Sequence, residues 1–485
     1  MGRFATVFNL LSVVVAIFAL AMLLPLGVSL TMEDGAEGAY DLAILATGLS
    51  GGLGWVLTRG GRRELQPRDG FLFVVLVWSV LPAFATVPLL VYLPGLSFTD
   101  AYFETMSALT ATGATVLSGL DDLPPSINVW RCMLQWIGGM GIIVLAVAIL
   151  PLLGVGGRQL LKAETPGPMK EQQLTPRIAQ TAKGLWLVYL LLTVVCGLAY
   201  AFAGMSSLDA MMHAFTTVAL GGFSSHDASF AYWNSPLIEG LAVAFMLAAG
   251  ISFGTHFVAL RRISLRPYRF DAEARAFLSV CGASVAVIAG YLFLHGMHDD
   301  FAATARYALF NVVSVATTTG YSTTDYAIWP VFAPLWMLML CTFSTCSGSA
   351  GGGIKMMRAL LMFQQALREM MRIVHPRALI SVKLGGQVVD NNIIFAVLAY
   401  MLVYGATLTM ITMLLTATEL DFMTAFSAAA ACLNNLGPGL GEVGPASNYA
   451  ILDDFQTWIC TFAMLLGRLE LMTVFVLLTP AFWRR

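Results

Sequence analysis

Four short stretches of this 485-residue chain each end in a glycine that follows uncharged residues. They are Ala111, Thr112 and Gly113; Leu220, Gly221 and Gly222; Thr318, Thr319 and Gly320; and Asn435, Leu436 and Gly437. No nucleophile–base pair, Walker motif or strand-borne GxGxxG accompanies them, so enzymatic chemistry is not indicated and no organic cofactor is expected. What such turns can offer is backbone. A glycine lets the chain aim a carbonyl inward with no side chain in the way, and a ring of carbonyl oxygens can replace the water shell of a cation. The chemistry available is the dehydration and selection of an ion.

In a longer frame the four stretches align. They read DAYFETMSALTATGATV around Gly113, DAMMHAFTTVALGGFSS around Gly222, YALFNVVSVATTTGYST around Gly320 and TAFSAAAACLNNLGPGL around Gly437. An alanine stands twelve positions before each glycine: Ala101, Ala210, Ala308 and Ala425. One such turn would fit the end of any transporter helix. Four in register, about a hundred residues apart, point to one unit used four times.

The elements that must position these turns are membrane helices. Hydrophobic residues make up 58% of the chain and charged residues 11%, against about 25% charged in soluble domains. Apolar spans fall at 4–30, 41–58, 71–94, 127–154, 184–205, 234–260, 274–296, 330–368, 389–417 and 455–482, long enough for the ~20 residues that a crossing needs. The first run lacks a small-residue cleavage site and is read as a retained helix. Connections alternate in charge. The basic ones hold Arg59 to Arg68, Arg158 to Lys183, Arg261 to Arg269, Arg368 to Lys383, and Arg484 with Arg485. The acidic ones hold Glu33 to Glu37, Asp121 and Asp122, Asp299 and Asp300, and Glu442 to Asp454. The positive-inside rule puts the basic set and both termini in the cytoplasm. Seven scattered cysteines without CxxC spacing suggest neither a metal site nor a disulfide framework.

The glycine turns lie on the acidic side, in connections too long and too apolar to be plain loops. Each unit reads as an outer helix, a half-helix re-entering from outside, an extended turn and an inner helix. Irregular backbone at membrane depth is tolerated only where it is buried or lines a wet cavity, and the short helices point partly negative C-termini at the axis. The expected fold is an all-α membrane protein with four tandem helix–pore loop–helix repeats around a central pore, preceded by two extra transmembrane helices. The divisions are 1–69 for those two helices and 70–180, 181–270, 271–386 and 387–485 for the repeats.

Two departures from the repeat carry further signals. The eighth span contains CTFSTCSGSAGGGIKMMR, with Gly348, Ser349, Ala350, Gly351, Gly352 and Gly353 at its middle. Each glycine costs a helix about 1 kcal/mol relative to alanine, so the span should break there, in the third copy only; close helix packing is the other use of such a cluster. Arg468 lies deep in the last span, and the fourth copy alone is read as burying an arginine. A charge at that depth is costly and by default functional. Glu470, two positions on, diverges from it on a helix and is a poor partner. Lys355, just past the glycines, adds a second charge below the turns or marks the cytoplasmic side. Glu104 and Glu470 are the carboxylates expected away from loops and helix ends. His213, in the second short helix, is expected to pack or cap.

These residues resemble the Trk/Ktr/HKT superfamily of potassium transporters, most of all its TrkH branch. TTTGYS around Gly320 is similar to a potassium-channel filter. Gln135 to Pro151 (QWIGGMGIIVLAVAILP), Asn434 to Gly444 (NNLGPGLGEVG) and Leu465 to Trp483 (LLGRLELMTVFVLLTPAFW) resemble TrkH stretches. The two N-terminal helices are a TrkH trait that KtrB-type proteins lack. The resemblance implies a potassium-selective pore for K+ uptake across a bacterial inner membrane, with K+ held by the filter carbonyls. It implies a homodimer with one pore per protomer and a cytosolic nucleotide-binding regulator such as a TrkA ring. It also implies that residues 348–353 form an intramembrane gate below the filter, on which Lys355 and Arg468 act. Glycine at all four filter positions favours potassium, since serine at the first goes with sodium permeation in this superfamily. Ala111 departs from the pattern, giving ATGAT for TTGAT, and so does Ala350, where GSTGGG is usual. The alternative function is a symporter coupling K+ to H+ or Na+; such proteins place carboxylates near the midplane, whereas here nearly all lie in loops. The lipid bilayer is an expected partner and nucleic acid is not.

Overall fold

A computed structural model describes residues 4–60, 66–141, 178–297 and 299–484. The chain opens with α1 (Ala5–Ala21) and α2 (Leu23–Met32), which together form one span, and returns through α3 (Glu37–Thr58). Four groups of helices follow. The first holds α4 (Pro67–Tyr92), the short α5 (Phe98–Leu109) and α6 (Pro125–Gly139). The second holds α7 (Ile178–Phe202), α8 (Ser207–Ala219), α9 (Pro236–Gly250), α10 (Phe253–Arg262) and the small α11 (Arg266–Phe270). The third holds α12 (Ala272–Leu294), α13 (Phe301–Ala316), α14 (Phe332–Cys341) and α15 (Met356–Val374). A hairpin of β1 (Lys383–Leu384) and β2 (Gln387–Val388) pairs Lys383 with Val388; its turn residues Gly385 and Gly386 both have positive φ, as a two-residue hairpin requires. The fourth group holds α16 (Asn391–Thr416), α17 (Phe422–Leu433), α18 (Asp454–Arg468), α19 (Leu471–Leu478) and α20 (Pro480–Trp483). The remainder of the fourth expected span, and the basic residues Arg62, Arg63, Arg158 to Arg177 and Arg485, lie outside the described residues.

Among the described residues six helical segments are long and apolar enough to cross a membrane, and eight if each sharply bent pair is one span. Apolar side chains on the outer helices, among them Leu187, Phe202, Phe395, Leu402 and Met410, are exposed, while the short helices are almost wholly buried. That inverted arrangement suits a lipid surround. Each short helix begins at a side-chain cap that satisfies one of its free N–H groups. Ser97 Oγ accepts from Asp100 at 3.0 Å, Ser206 Oγ from Asp209 at 3.1 Å, Asp300 from Ala302 at 3.2 Å and Asp421 from Met423 at 2.8 Å.

The inner helices correct one expectation. The third copy does break, with residues 342–355 outside any helix, but it is not alone. Helices α9 and α10 meet at 96°, and α18 and α19 meet at 112°. α6 ends at Gly139, followed by Gly141 at φ +80°. The breaks touch one another: Cys346 N–H donates to Gly250 O at 3.0 Å, and Arg468 reaches the carbonyls of Gly138 and Gly139 at 2.5 and 2.8 Å. Close approach is the physical cause. Gly138 lies against the carbonyl of Leu109 and Gly467 against that of Leu433, where any Cβ would collide. Leu109 and Leu433 hold the same position, four residues before a turn glycine.

Candidate functional site

Each short helix ends in the same pair of backbone bonds. The N–H of Ala111, Leu220, Thr318 and Asn435 donates three residues back, to Ala108, Thr217, Val315 and Cys432, at 2.9, 3.1, 3.0 and 3.2 Å. The next N–H, of Thr112, Gly221, Thr319 and Leu436, donates five residues back, to Ser107, Thr216, Ser314 and Ala431, at 2.8 to 2.9 Å. This is a Schellman termination, repeated four times. Its left-handed residue is usually glycine, yet here it is Ala111 (φ +52°), Leu220 (+54°), Thr318 (+58°) and Asn435 (+54°). Two residues on, Gly113, Gly222, Gly320 and Gly437 are again at positive φ, between +78° and +97°. Alternation of hand along a segment turns successive peptide planes so that their carbonyls can lie on one side of the chain.

The four turns interlock through these glycines. A Cβ on Gly113 would strike the carbonyl oxygen of Gly221, one on Gly222 that of Thr319, one on Gly320 that of Leu436, and one on Gly437 that of Thr112. Each contact is made to the residue before the glycine of the next turn, and the fourth returns to the first. The twelve residues of the candidate filter are thus brought together as a closed ring. Side chains reinforce it. Asn435 Nδ2 donates to Thr112 Oγ1 at 2.9 Å, and Tyr321 hydroxyl meets Thr216 Oγ1 at 2.5 Å. Gln135 Nε2 donates to Gly221 O at 2.6 Å and its Oε1 accepts from Phe223 N–H at 3.1 Å; Tyr449 hydroxyl donates to Gly437 O at 2.8 Å. Sequence alone gives Gln135 no role beyond the resemblance, because an amide inside an apolar span carries no periodic signal.

The expectation that the fourth copy alone buries an arginine is corrected: Arg468 is half-buried, and buried arginines lie in the first and third copies. Arg131 on α6 is 1% exposed and pairs with Glu104 on α5, itself 0% exposed, at 2.8 Å. A census of charges inside the span 127–154 would have found it. His213 is buried between Asp209 O at 2.9 Å and Ser224 Oγ at 3.0 Å, a packing role as expected.

Beyond the ring lies an open vestibule with a cavity of about 90 Å³, lined by Gly113, Gly222 and Gly320 together with Arg131, His226 and Asp227. His226 clasps two copies together. Its Nδ1 bonds to Asp121, its Nε2 stands 3.5 Å from Asp209 Oδ1, and its ring stacks on Tyr232 with centroids 3.5 Å apart. Burial alone would lower the pKa of this imidazole, but the carboxylates of Asp209 and Asp121 outweigh it and hold the value above its ordinary one.

On the opposite side of the ring the glycine cluster of residues 348–353 presses against the turns. Gly352 N–H donates to Thr318 Oγ1 at 2.8 Å, and its O accepts from Thr345 Oγ1 at 3.0 Å. A Cβ on Gly351 would lie 3.1 Å from Thr317 O, and one on Gly352 would strike Asn434 O. The flank is tied across copies: Gly348 O accepts from Phe253 N–H of the second copy at 3.0 Å, while Ser347 N–H donates at 2.7 Å to the carboxylate of Glu273 on α12 of the third. Ser349 Oγ closes back on Cys346 O at 2.7 Å. Lys355, at φ +77°, is buried and donates to Gly351 O. Arg468 Nη1 donates to Ala350 O at 3.0 Å, while its Nη2 takes the last carbonyls of α6, the partly negative end of that helix. Glu470 pairs with Arg358 at 2.8 Å. The glycine cluster, Lys355 and Arg468 therefore share one cluster.

A family model described as TrkH, cation transport protein, matches residues 42–485. The chain is 45% identical to the Trk system potassium uptake protein TrkH of Salmonella typhimurium over 483 residues, covering 99% of this chain and 100% of that one. It is 36% identical to the Trk system potassium uptake protein TrkG of Escherichia coli over 469 residues, covering 96% of each. The crystal structure of the potassium transporter TrkH from Vibrio parahaemolyticus superposes with a TM-score of 0.89 at 42% identity, over 100% of both chains.

Proposed function

The chain belongs to the TrkH family of cation transport proteins, and from that premise we propose that it takes up potassium through a single pore within its four-copy fold. The observation that carries the pathway is the ring of four turns, each with two left-handed residues and each glycine seated on the carbonyl of the next turn. A hydrated K+ enters the vestibule, sheds water onto carbonyl oxygens and meets the glycine loop on the far side. Ala111 changes nothing in this account, because its contribution is a carbonyl. Residues 348–353 are the gate, and Lys355 and Arg468 hold it by donating to Gly351 O and Ala350 O. Ala350 makes its contact through backbone, which accommodates the absence of the usual hydroxyl.

Relatives carry the name Trk system, and the chain is read as one component of such a system. Its partner would be a cytosolic nucleotide-binding ring docking on the basic side, where the second half of α15 and the hairpin after it are mostly exposed. Homodimerisation, an inner-membrane location and cytoplasmic termini belong to the same reading; the alternation of charged connections supports the orientation. A symporter is less well supported, since Glu104 and Glu470 are both engaged by arginines and hold no vacant coupling carboxylate. Flux into proteoliposomes at clamped voltage, with and without a pH gradient, tests the reading. Potassium flux far above sodium flux and indifferent to the pH gradient is expected. Flux that follows the pH gradient at fixed voltage would favour the symporter.

A further inference from the structure

Beyond each filter glycine the chain climbs back out, and in every copy a side chain from the short helix below holds that ascending segment. Glu104, nine residues before Gly113, accepts from Val116 N–H at 3.0 Å and from Thr115 Oγ1 at 2.9 Å. Asn311, nine before Gly320, accepts from Thr323 N–H at 3.3 Å and donates to Thr323 Oγ1 at 2.9 Å. In the fourth copy that position is Ala428, and its neighbour Ser427 takes over, accepting from Leu440 N–H at 2.8 Å. Val116, Thr323 and Leu440 are each the third residue past their glycine. In the second copy His213, again nine before the glycine, engages Ser224 Oγ at 3.0 Å. All four side chains are 0% exposed.

The four braces are unequal. Three are neutral. The first is a carboxylate completed by a second charge, with Arg131 Nε and Nη2 both 2.8 Å from Glu104 Oε1. Bonds of that kind are about twice as strong as neutral ones. Arg131 also spans to the next turn: Nη1 donates to Ser224 O at 3.4 Å, and the guanidinium lies 4.4 Å from the Phe223 ring centroid. A carbonyl ring rejects a smaller ion only if it resists closing down on it, so selection depends on how firmly both ends of each turn are held. The Schellman bonds hold the lower ends, and these side chains hold the upper ones.

We propose that Glu104 with Arg131, His213, Asn311 and Ser427 are positioning residues for ion selection, and that the Glu104–Arg131 pair makes the first copy the stiff quadrant against which the other three turns are sized. The proposal rests on reading the turns as the filter. K+, Rb+ and Na+ fluxes in proteoliposomes test it, using Ser427→Ala, Ser427→Thr, Asn311→Leu and the charge-free double variant Glu104→Gln with Arg131→Met, and Gly113→Ser as reference. Ser427→Ala and Asn311→Leu should raise the Na+/K+ flux ratio about fivefold, and the double variant more, about thirtyfold. Ser427→Thr, which keeps the hydroxyl, should restore the ratio, a result that a merely structural role would not produce. If the double variant does not fold, the two neutral variants carry the test. Relaxed selection in Gly113→Ser with an unchanged ratio in every brace variant would overturn the proposal and leave the filter standing. An unchanged ratio in Gly113→Ser would remove the filter reading and the proposal together.

Discussion

Arg358 and Glu470 meet at 2.8 Å, and their pair joins the first turn of α15 to the 112° break between α18 and α19. The arginine is 6% exposed and lies 4.0 Å from the ring centroid of Tyr400; the glutamate sits at φ +56°, a conformation that costs a residue with a side chain about 1 kcal/mol or more. The pair thus pins a strained residue beside the candidate gate loop. Glu470→Gln leaves a mostly buried guanidinium without its counter-charge and should destabilise the protein by about 2 kcal/mol. The check is the thermal midpoint in detergent, where an unchanged value would reduce the pair to a bystander.

Arg468 supplies one guanidinium to three carbonyls, those of Ala350, Gly138 and Gly139. Arg468→Ala frees the candidate gate loop from α6, and potassium flux without any regulator should rise several-fold. Arg468→Lys offers a point charge in place of a planar fork and should give an intermediate flux. A lower flux in both variants would assign Arg468 to conduction rather than to restraint.

At Gly113 the chain is at φ +87° with the Gly221 carbonyl where a Cβ would go. Gly113→Ser must therefore push the second turn aside as well as strain the first. Sodium flux should rise relative to potassium by tenfold or so, since a distortion worth about 1.4 kcal/mol suffices for that factor. Competition between the two ions in proteoliposomes reads it directly.

His226 should make the vestibule sensitive to pH. Its folded pKa lies above the ordinary 6.5 because Asp209 and Asp121 outweigh the effect of burial. The clasp therefore contributes its full stabilisation below the ordinary value and loses it as pH climbs through the raised one. Thermal stability should fall as pH climbs from the ordinary histidine value through the raised one, and His226→Gln should flatten that fall. An equal slope in the variant would place the titrating group elsewhere.

Much of this arrangement was legible before any coordinates. Charge alternation and apolar length marked the spans, and one glycine per copy marked the ring. The turn residues themselves were harder to read. Ala111, Leu220, Thr318 and Asn435 share a left-handed backbone but no residue type, so their common geometry leaves no common letter. Inner-helix breaks were read only where glycines cluster. At Gly250 and Gly467 a single glycine marks the bend, and its cause, a neighbouring side chain or carbonyl that needs the space, is tertiary. The pairing of Arg131 was hidden differently: its counter-charge Glu104 is remote in sequence, and only packing brings the two together.

The glycine loop lies directly against the turns, with Gly352 N–H on Thr318 Oγ1. Where a pathway is dry, the membrane voltage drops. If residues 348–353 close the pathway as proposed, the field is focused on them, and the Arg468 guanidinium is bonded to Ala350 O. A unit charge carried through a full drop of about 100 mV gains about 2.3 kcal/mol. Even a fractional displacement of that guanidinium would exchange electrical work for opening, so a cell whose interior becomes more negative is expected to loosen its own latch.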